Sequence, residues 1–131
     1  MHPVPRKKFE ALVADALASI PERFREAMKN IAIVVEDEPA PEILEEMEIE
    51  PPETLLGLYQ GTPLTDRSWD HGNNLPDQII LFQGPLQRES KNETDLIIAI
   101  GETLIHEVGH FFGLSEEEIA EIEDKYWRGE A

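Results

Sequence analysis

Two histidines and a glutamate near the end of the chain have the spacing of a metal site. His106, Glu107 and His110 form the pattern H-E-x-x-H. On a helix, side chains four residues apart lie on the same face, so both imidazoles can reach one Zn²⁺ at about 2.0–2.1 Å. Glu107 is rotated by about 100° from His106 and points beside the metal. The pattern therefore predicts two zinc ligands, and a general base that takes the proton from a metal-bound water.

This spacing is rare for a chain with so few histidines. The sequence has four, and its composition predicts about 0.02 chance occurrences of the pattern. The alternative is a pair of ordinary histidines, buried or placed near the end of a helix, where a positive charge suits the helix dipole. Because the surrounding segment is predicted to be helical, we favour the metal site.

The residues after the motif offer a third ligand. Gly113 lies three residues after His110, and Glu116 lies three residues after Gly113. A glycine at this point allows the chain to leave the helix in a left-handed turn, so that a later side chain can return towards the metal. Because a carboxylate oxygen is an acceptable zinc ligand, we expect Glu116 to complete the site. The alternative is that Glu116 is a solvent-exposed residue in the first turn of the next helix.

Residues outside the motif are weaker candidates. His71 could bind the metal or polarise a carbonyl, although a lone histidine in a polar loop is more often a solvated side chain. Tyr59 and Tyr126 could donate to an oxyanion, but a buried tyrosine with a hydrogen-bonded hydroxyl is the ordinary interpretation.

Hydrophobic patterning predicts the helices that position the motif. An apolar-rich segment runs from Glu93 to Phe112, and Gly113 is suited to end a helix. Ser115 and Glu118 form a capping box that opens a final helix. The predicted helices, by residue number, are 6–19, 21–30, 42–49, 93–112 and a last one that runs to 126 or 127.

Three runs rich in β-branched and apolar residues predict strands at 31–36, 55–60 and 77–83. The polar segment 62–76 is predicted to be a loop. Because strand 77–83 comes immediately before the motif helix, we expect it at the edge of the sheet. An extended peptide could pair with such an edge as a further strand.

Four segments together resemble the small bacterial family of possible zincin-like metallopeptidases. They are FEALVADALASIPERFREAMKNIAIVVEDEP, LLGLYQGTPLTDRS, LPDQIILFQGPL and HEVGHFFGLSEEEI, within residues 9 to 119. The resemblance implies a minimal zincin-like α+β fold. In this fold a small mixed sheet of three to four strands packs on helices, and the active-site helix lies near the C-terminus. It also implies His106 and His110 as ligands, Glu107 as the base and Glu116 as the favoured third ligand.

The chain departs from the larger clans of zinc peptidases in two ways. All three methionines precede the motif, so there is no methionine-containing turn after it. Few residues follow the motif, and they cannot build a second half of a substrate cleft. We therefore keep two hypotheses: a zinc-dependent metallopeptidase, and a non-catalytic metal-binding or protein-interaction module. Mg²⁺ and Ca²⁺ are disfavoured because hard cations prefer oxygen to imidazole.

Charge and length limit the classes of partner. The 131 residues carry a formal net charge of −17, which disfavours nucleic acids and anionic membranes. We expect residues 1–131 to form one domain that acts in the cytoplasm on a peptide or protein substrate, because no signal sequence or long apolar run is present. Nine carboxylates and no lysine or arginine occupy residues 36–53. This strip is interpreted as a solvated connector, with a docking site for a basic partner as the alternative.

Overall fold

Three strands among the described residues form one mixed sheet. The computed structural model describes residues 1–61 and 77–127. In chain order the strands are β1 (Ile31–Glu36), β2 (Gly57–Gln60) and β3 (Asp77–Phe82), and their order in the sheet is β1-β3-β2. β1 pairs with β3 in parallel, and β2 pairs with β3 in antiparallel orientation.

β3 is the central strand, so the prediction that it forms the edge of the sheet is wrong. Ile79, Leu81 and Phe82 of β3 are fully buried, which shows that both faces of the strand are covered. A continuous apolar run is what such a strand requires, and this signal is present in the sequence. Among the described strands, β1 and the shorter β2 form the two edges, and Gly57 is the buried residue of β2. Gln83 leaves the sheet and begins a helix.

Six helices accompany the sheet in the described part of the chain. The helices predicted at 6–19 and 93–112 are confirmed, and other predicted ends differ by a few residues, as helix ends commonly do. The sequence prediction missed a short helix that contains a glycine and a proline, although proline is tolerated in a first turn. None of the six has both the length and the apolar character to cross a bilayer. They are α1 (Arg6–Ser19), α2 (Glu22–Met28), α3 (Pro41–Glu46), α4 (Gln83–Arg88), α5 (Glu93–Phe112) and α6 (Glu116–Trp127).

The hydrophobic core holds α5 against α1 and the sheet. Burial of a large apolar side chain contributes about 1.5–3 kcal/mol relative to its exposure, so the core fixes the helix that carries the motif. The residues that α1 and α5 bury in this core include Phe9, Leu12, Val13, Ala16, Leu96, Ile100, Leu104, Ile105 and Val108.

The C-terminal end of α5 is a Schellman motif. Gly113 has the left-handed conformation, with φ 73°. The Gly113 N–H donates to the carbonyl of His110, and the Leu114 N–H donates to the carbonyl of Gly109, both at 3.0 Å. These two bonds define the motif, and the predicted left-handed turn is confirmed. The turn ends α5 three residues after the second histidine.

Candidate metal centre

Two histidines and a glutamate bring their polar atoms together near the C-terminal end of α5. Ligand atoms of His106, Glu107 and His110 all lie within 4.8 Å of one another. The two imidazole rings are 4.9 Å apart between their centroids, because the residues are one helical turn apart. His106 is half-buried and His110 is exposed, so the cluster is open to solvent. This arrangement could hold a metal ion.

Glu116 returns to the same cluster from the first turn of α6. Its Oε2 lies 3.6 Å from His106 Nε2, and its Oε1 lies 3.7 Å from His110 Nε2. In a tetrahedral zinc site with bonds of about 2.0–2.1 Å, two ligand atoms are about 3.3 Å apart. The observed separations exceed this by a few tenths of an ångström, which small side-chain rotations can close. The structure thus brings together the three residues predicted as ligands, and two imidazoles with one carboxylate fit zinc.

α6 begins with the capping box that the sequence predicts. The Glu118 N–H donates to Ser115 Oγ at 3.1 Å, and the Ser115 N–H donates to Glu118 Oε1 at 3.0 Å. The backbone N–H and the hydroxyl of Ser115 hold the pKa of the Glu118 carboxyl below its ordinary value. The cap starts the helix at Glu116 and engages the carboxylate of Glu118 away from the histidines.

Glu107 is half-buried between α5 and the edge strand β2. The backbone N–H of Tyr59 donates to Glu107 Oε1 at 2.9 Å. Burial raises the pKa of Glu107, and this effect outweighs the opposing influence of His110, His106 and the Tyr59 hydrogen bond. A carboxylate with a raised pKa accepts a proton more readily, which suits a general base.

A cleft of about 300 Å³ lies beside the cluster. Its walls include Leu55, Leu56 and Gly57 before and within β2, and Glu102 and Thr103 on α5. His106 and Glu107 of the motif also line this cleft. The candidate centre therefore lies next to an open space at the edge of the sheet, where a substrate could enter.

A sequence model of the zincin-like metallopeptidases matches residues 28–126. This range includes all three strands and every residue of the cluster. The chain belongs to the zincin-like metallopeptidase family. Its mixed sheet and its H-E-x-x-H helix near the C-terminus agree with the predicted α+β fold. Among functionally curated proteins, none matches the chain.

Membership of the zincin-like family implies a divalent metal, usually zinc, and supports a metallopeptidase type of function. The matched range contains the end of α5 at which the side chains of His106, Glu107 and His110 meet.

Sequence reasoning missed one carboxylate of this zincin-like centre. Glu123 Oε1 lies 3.4 Å from His106 Nδ1, on the side of the ring opposite Nε2. The spacing of the glutamates within α6 is the sequence signal that could have indicated Glu123. Glu116 and Glu123 are seven residues apart, about two turns, so they share one face of α6.

One of the weaker candidates, Tyr59, has its hydroxyl bonded to a carboxylate outside the His106–His110 motif. The Tyr59 hydroxyl donates to Asp77 Oδ2 at 3.1 Å, which matches the interpretation of a tyrosine with a bonded hydroxyl. His71, with the predicted loop 62–76, and the side chain of Tyr126 lie outside the described residues.

Proposed function

We propose that the protein is a zinc-dependent metallopeptidase in which His106, His110 and Glu116 hold the metal. The observation that carries this proposal is the position of the Glu116 carboxylate. Its two oxygens lie 3.6 and 3.7 Å from the Nε2 atoms of the two histidines. Three protein ligands leave the fourth tetrahedral position free for water or substrate, which distinguishes a catalytic zinc site from a structural one.

The choice of zinc follows from the donor atoms. Two imidazole nitrogens and one carboxylate oxygen suit Zn²⁺, whereas Mg²⁺ and Ca²⁺ favour sites built of oxygen alone. The strongly acidic chain, with a formal net charge of −17, also attracts cations. When bound, zinc lowers the pKa of its water and polarises the carbonyl of the substrate.

Glu107 is the general base in this proposal. Its carboxylate is adjacent to the cluster, and the Tyr59 N–H holds one of its oxygens at 2.9 Å, which leaves the other oxygen able to accept a proton. Burial raises the pKa of Glu107, so it takes the proton from the attacking water more readily. The same group can then donate that proton to the leaving amine.

A peptide is the substrate that the edge strand supports. Because the Phe82 N–H donates to the carbonyl of Leu56, antiparallel alternation turns the backbone N–H and C=O of Gly57 away from β3, while the Tyr59 N–H on the same side is bound to Glu107. An extended peptide of any sequence can pair with such an edge, because the hydrogen bonds are formed by its backbone. We therefore propose β2, in place of β3, as the strand that receives a peptide or protein substrate.

The test is hydrolysis of an unstructured protein and of a quenched peptide library, with Zn²⁺ and after its removal by a chelator. We expect zinc-dependent cleavage, and Glu107→Gln should lose about 10²–10⁴-fold in kcat because a positioned base is removed. Glu117→Gln, an equal change of charge in the first turn of α6, is the control and should cleave normally.

Two results would contradict the proposal. Equal activity of Glu107→Gln and the original protein would exclude this base. Stoichiometric zinc without cleavage of any library would favour the alternative, a non-catalytic metal-binding or interaction module.

A further inference from the structure

We infer that Glu123 is a positioning residue for the zinc ligand His106. Its carboxylate would accept a hydrogen bond from Nδ1 and so direct Nε2 towards the metal. The inference rests on the proposed metal centre and extends it to a residue that the motif does not contain. Glu123 itself would remain outside the coordination sphere.

The geometry around the imidazole of His106 supports this role. Glu116 Oε2 lies 3.6 Å from Nε2, and Glu123 Oε1 lies 3.4 Å from Nδ1. One helix therefore presents a carboxylate to each nitrogen of the same ring. Ile119, which is 1% exposed, lies between them on this face of α6 and anchors it to the core.

Burial distinguishes the two carboxylates. The side chain of Glu123 is 26% exposed and that of Glu116 is 73% exposed. The more exposed group is at the open side, where a metal and its water must be reached. The more buried group lies behind the ring, beside the cleft that Glu102 and Thr103 also line. A carboxylate in this position suits a fixed hydrogen bond better than exchange with solvent.

The chemistry of imidazole explains why such a partner matters. A neutral histidine that binds a metal through Nε2 must carry its proton on Nδ1. An acceptor at Nδ1 selects this tautomer, fixes the plane of the ring and makes Nε2 a stronger donor to the metal. Loss of such an outer partner typically costs about 10–100-fold in metal affinity or activity.

The test measures the Zn²⁺ affinity of the full chain by competition with a chromophoric chelator at about pH 7.5, because metal affinity depends on pH. Glu123→Ala should bind zinc about 10–100-fold more weakly. Glu123→Gln should stay close to the original affinity, because its amide oxygen can still accept the hydrogen bond. Glu121→Gln, an equal loss of charge at an exposed position of α6, should bind normally. Circular dichroism of the metal-free variants checks that each one folds.

A second readout reports on the hydrogen bond itself. In ¹⁵N-labelled, zinc-loaded protein, the His106 Nδ1 proton should be visible by NMR and protected from exchange with water. In Glu123→Ala at saturating zinc, the same proton should exchange faster. An ordinary ion pair on the surface predicts no change in either the affinity or the exchange rate.

The outcomes separate this inference from the proposed function. Equal zinc affinity of Glu123→Ala and the original protein overturns the positioning role and leaves the peptidase proposal standing. Equal weakening by Glu123→Gln and Glu123→Ala also overturns it, since the negative charge would then matter more than the hydrogen bond. Weakening by alanine alone, in a protein that cleaves no peptide, supports the inference while the peptidase proposal fails. If the original protein binds no zinc, both fail.

Discussion

Ile119 of α6 fills the space where a side chain at Gly109 of α5 would lie. A Cβ built on Gly109 would be 2.5 Å from Ile119 Cγ1 and 2.7 Å from its Cδ1, closer than real carbon atoms approach. The glycine is one of the two unspecified positions within H-E-x-x-H. It lets α6 pack closely against α5, and this contact brings the carboxylates of α6 to the two histidines.

Gly109→Ala is therefore expected to weaken the metal centre while the fold persists. Overpacking typically costs about 1–3 kcal/mol, while alanine restores about 1 kcal/mol of helix propensity, so the loss in the free energy of unfolding should be small. The displacement of α6 should reduce zinc affinity at least about 10-fold, as for loss of an outer partner. Calorimetry of zinc binding and thermal unfolding measure the two effects.

The double variant with Ile119→Ala checks this explanation. Removal of Cγ1 and Cδ1 makes room for the new methyl group, so the two substitutions should couple favourably in a double-mutant cycle. Strict additivity of their effects would show that the Gly109 contact does not position α6.

Glu116→Gln is expected to lose zinc at neutral pH while the metal-free protein keeps its stability. The side chain is 73% exposed and contributes little to the core, but two imidazoles alone are too few protein ligands for a stable zinc site. The loss of zinc affinity should be larger than the loss of about 10–100-fold that follows removal of a hydrogen-bond partner outside the coordination sphere. Metal content after dialysis measures zinc retention. Unfolding in the presence of a chelator measures the stability of the metal-free protein.

Glu117→Gln and Glu118→Gln are the controls and should retain zinc. If Glu116→Gln binds zinc as tightly as the original protein, another side chain supplies the third bond. His71 would be the first to test.

The helix α5, which carries H-E-x-x-H, could be predicted from the sequence because its signals are local. The apolar-rich segment from Glu93 to Phe112, the glycine at 113 and the Ser115 capping box each specify backbone conformation within a few residues. The H-E-x-x-H spacing is likewise local, since it needs only one turn of helix. For these reasons His106, Glu107 and His110 could be assigned to one cluster before any fold was known.

Features that depend on long-range packing were harder to predict. The central position of β3 does not follow from its place in the chain just before the helices, and its continuous apolar run is the better signal. The contact of Glu123 with His106 depends on the angle between α5 and α6, which no pattern in the sequence specifies. The Tyr59 N–H bond to Glu107 likewise joins residues 48 positions apart.

The metal-free protein should become more stable when Glu107 is replaced by glutamine. Burial raises the pKa of Glu107 above 4.5, so the folded protein holds this proton more tightly than the unfolded chain does. The ionised carboxylate then destabilises the fold. This cost is fully present above the raised pKa and disappears as the pH falls below the ordinary value.

Thermal unfolding in chelator measures the effect across pH. Glu107→Gln should raise the Tm at about pH 8. The gain should vanish when the pH falls below the ordinary pKa of a glutamate. Each kcal/mol corresponds to about 4 °C for a domain of this size. Glu121→Gln controls for the general relief of repulsion in an acidic chain. A gain that is the same for both variants at every pH would contradict the assigned burial effect.

β2 contacts Glu107, the proposed general base, through the Tyr59 N–H. A Cβ on Gly57 would lie 2.5 Å from Thr103 Cγ2 and 3.6 Å from Glu107 Cγ, so Gly57→Ala should push β2 away from α5 and disturb the Tyr59 bond to Glu107. A misplacement of about 1 Å can cost about 10²-fold in rate, whereas zinc affinity should persist because no proposed ligand lies on β2. Thr103→Ser removes only Cγ2 and keeps the hydroxyl that donates to the Ala99 carbonyl, so adding it to Gly57→Ala should restore much of kcat. Loss of zinc in Gly57→Ala, or no recovery in the double variant, would show that the glycine serves the fold as a whole.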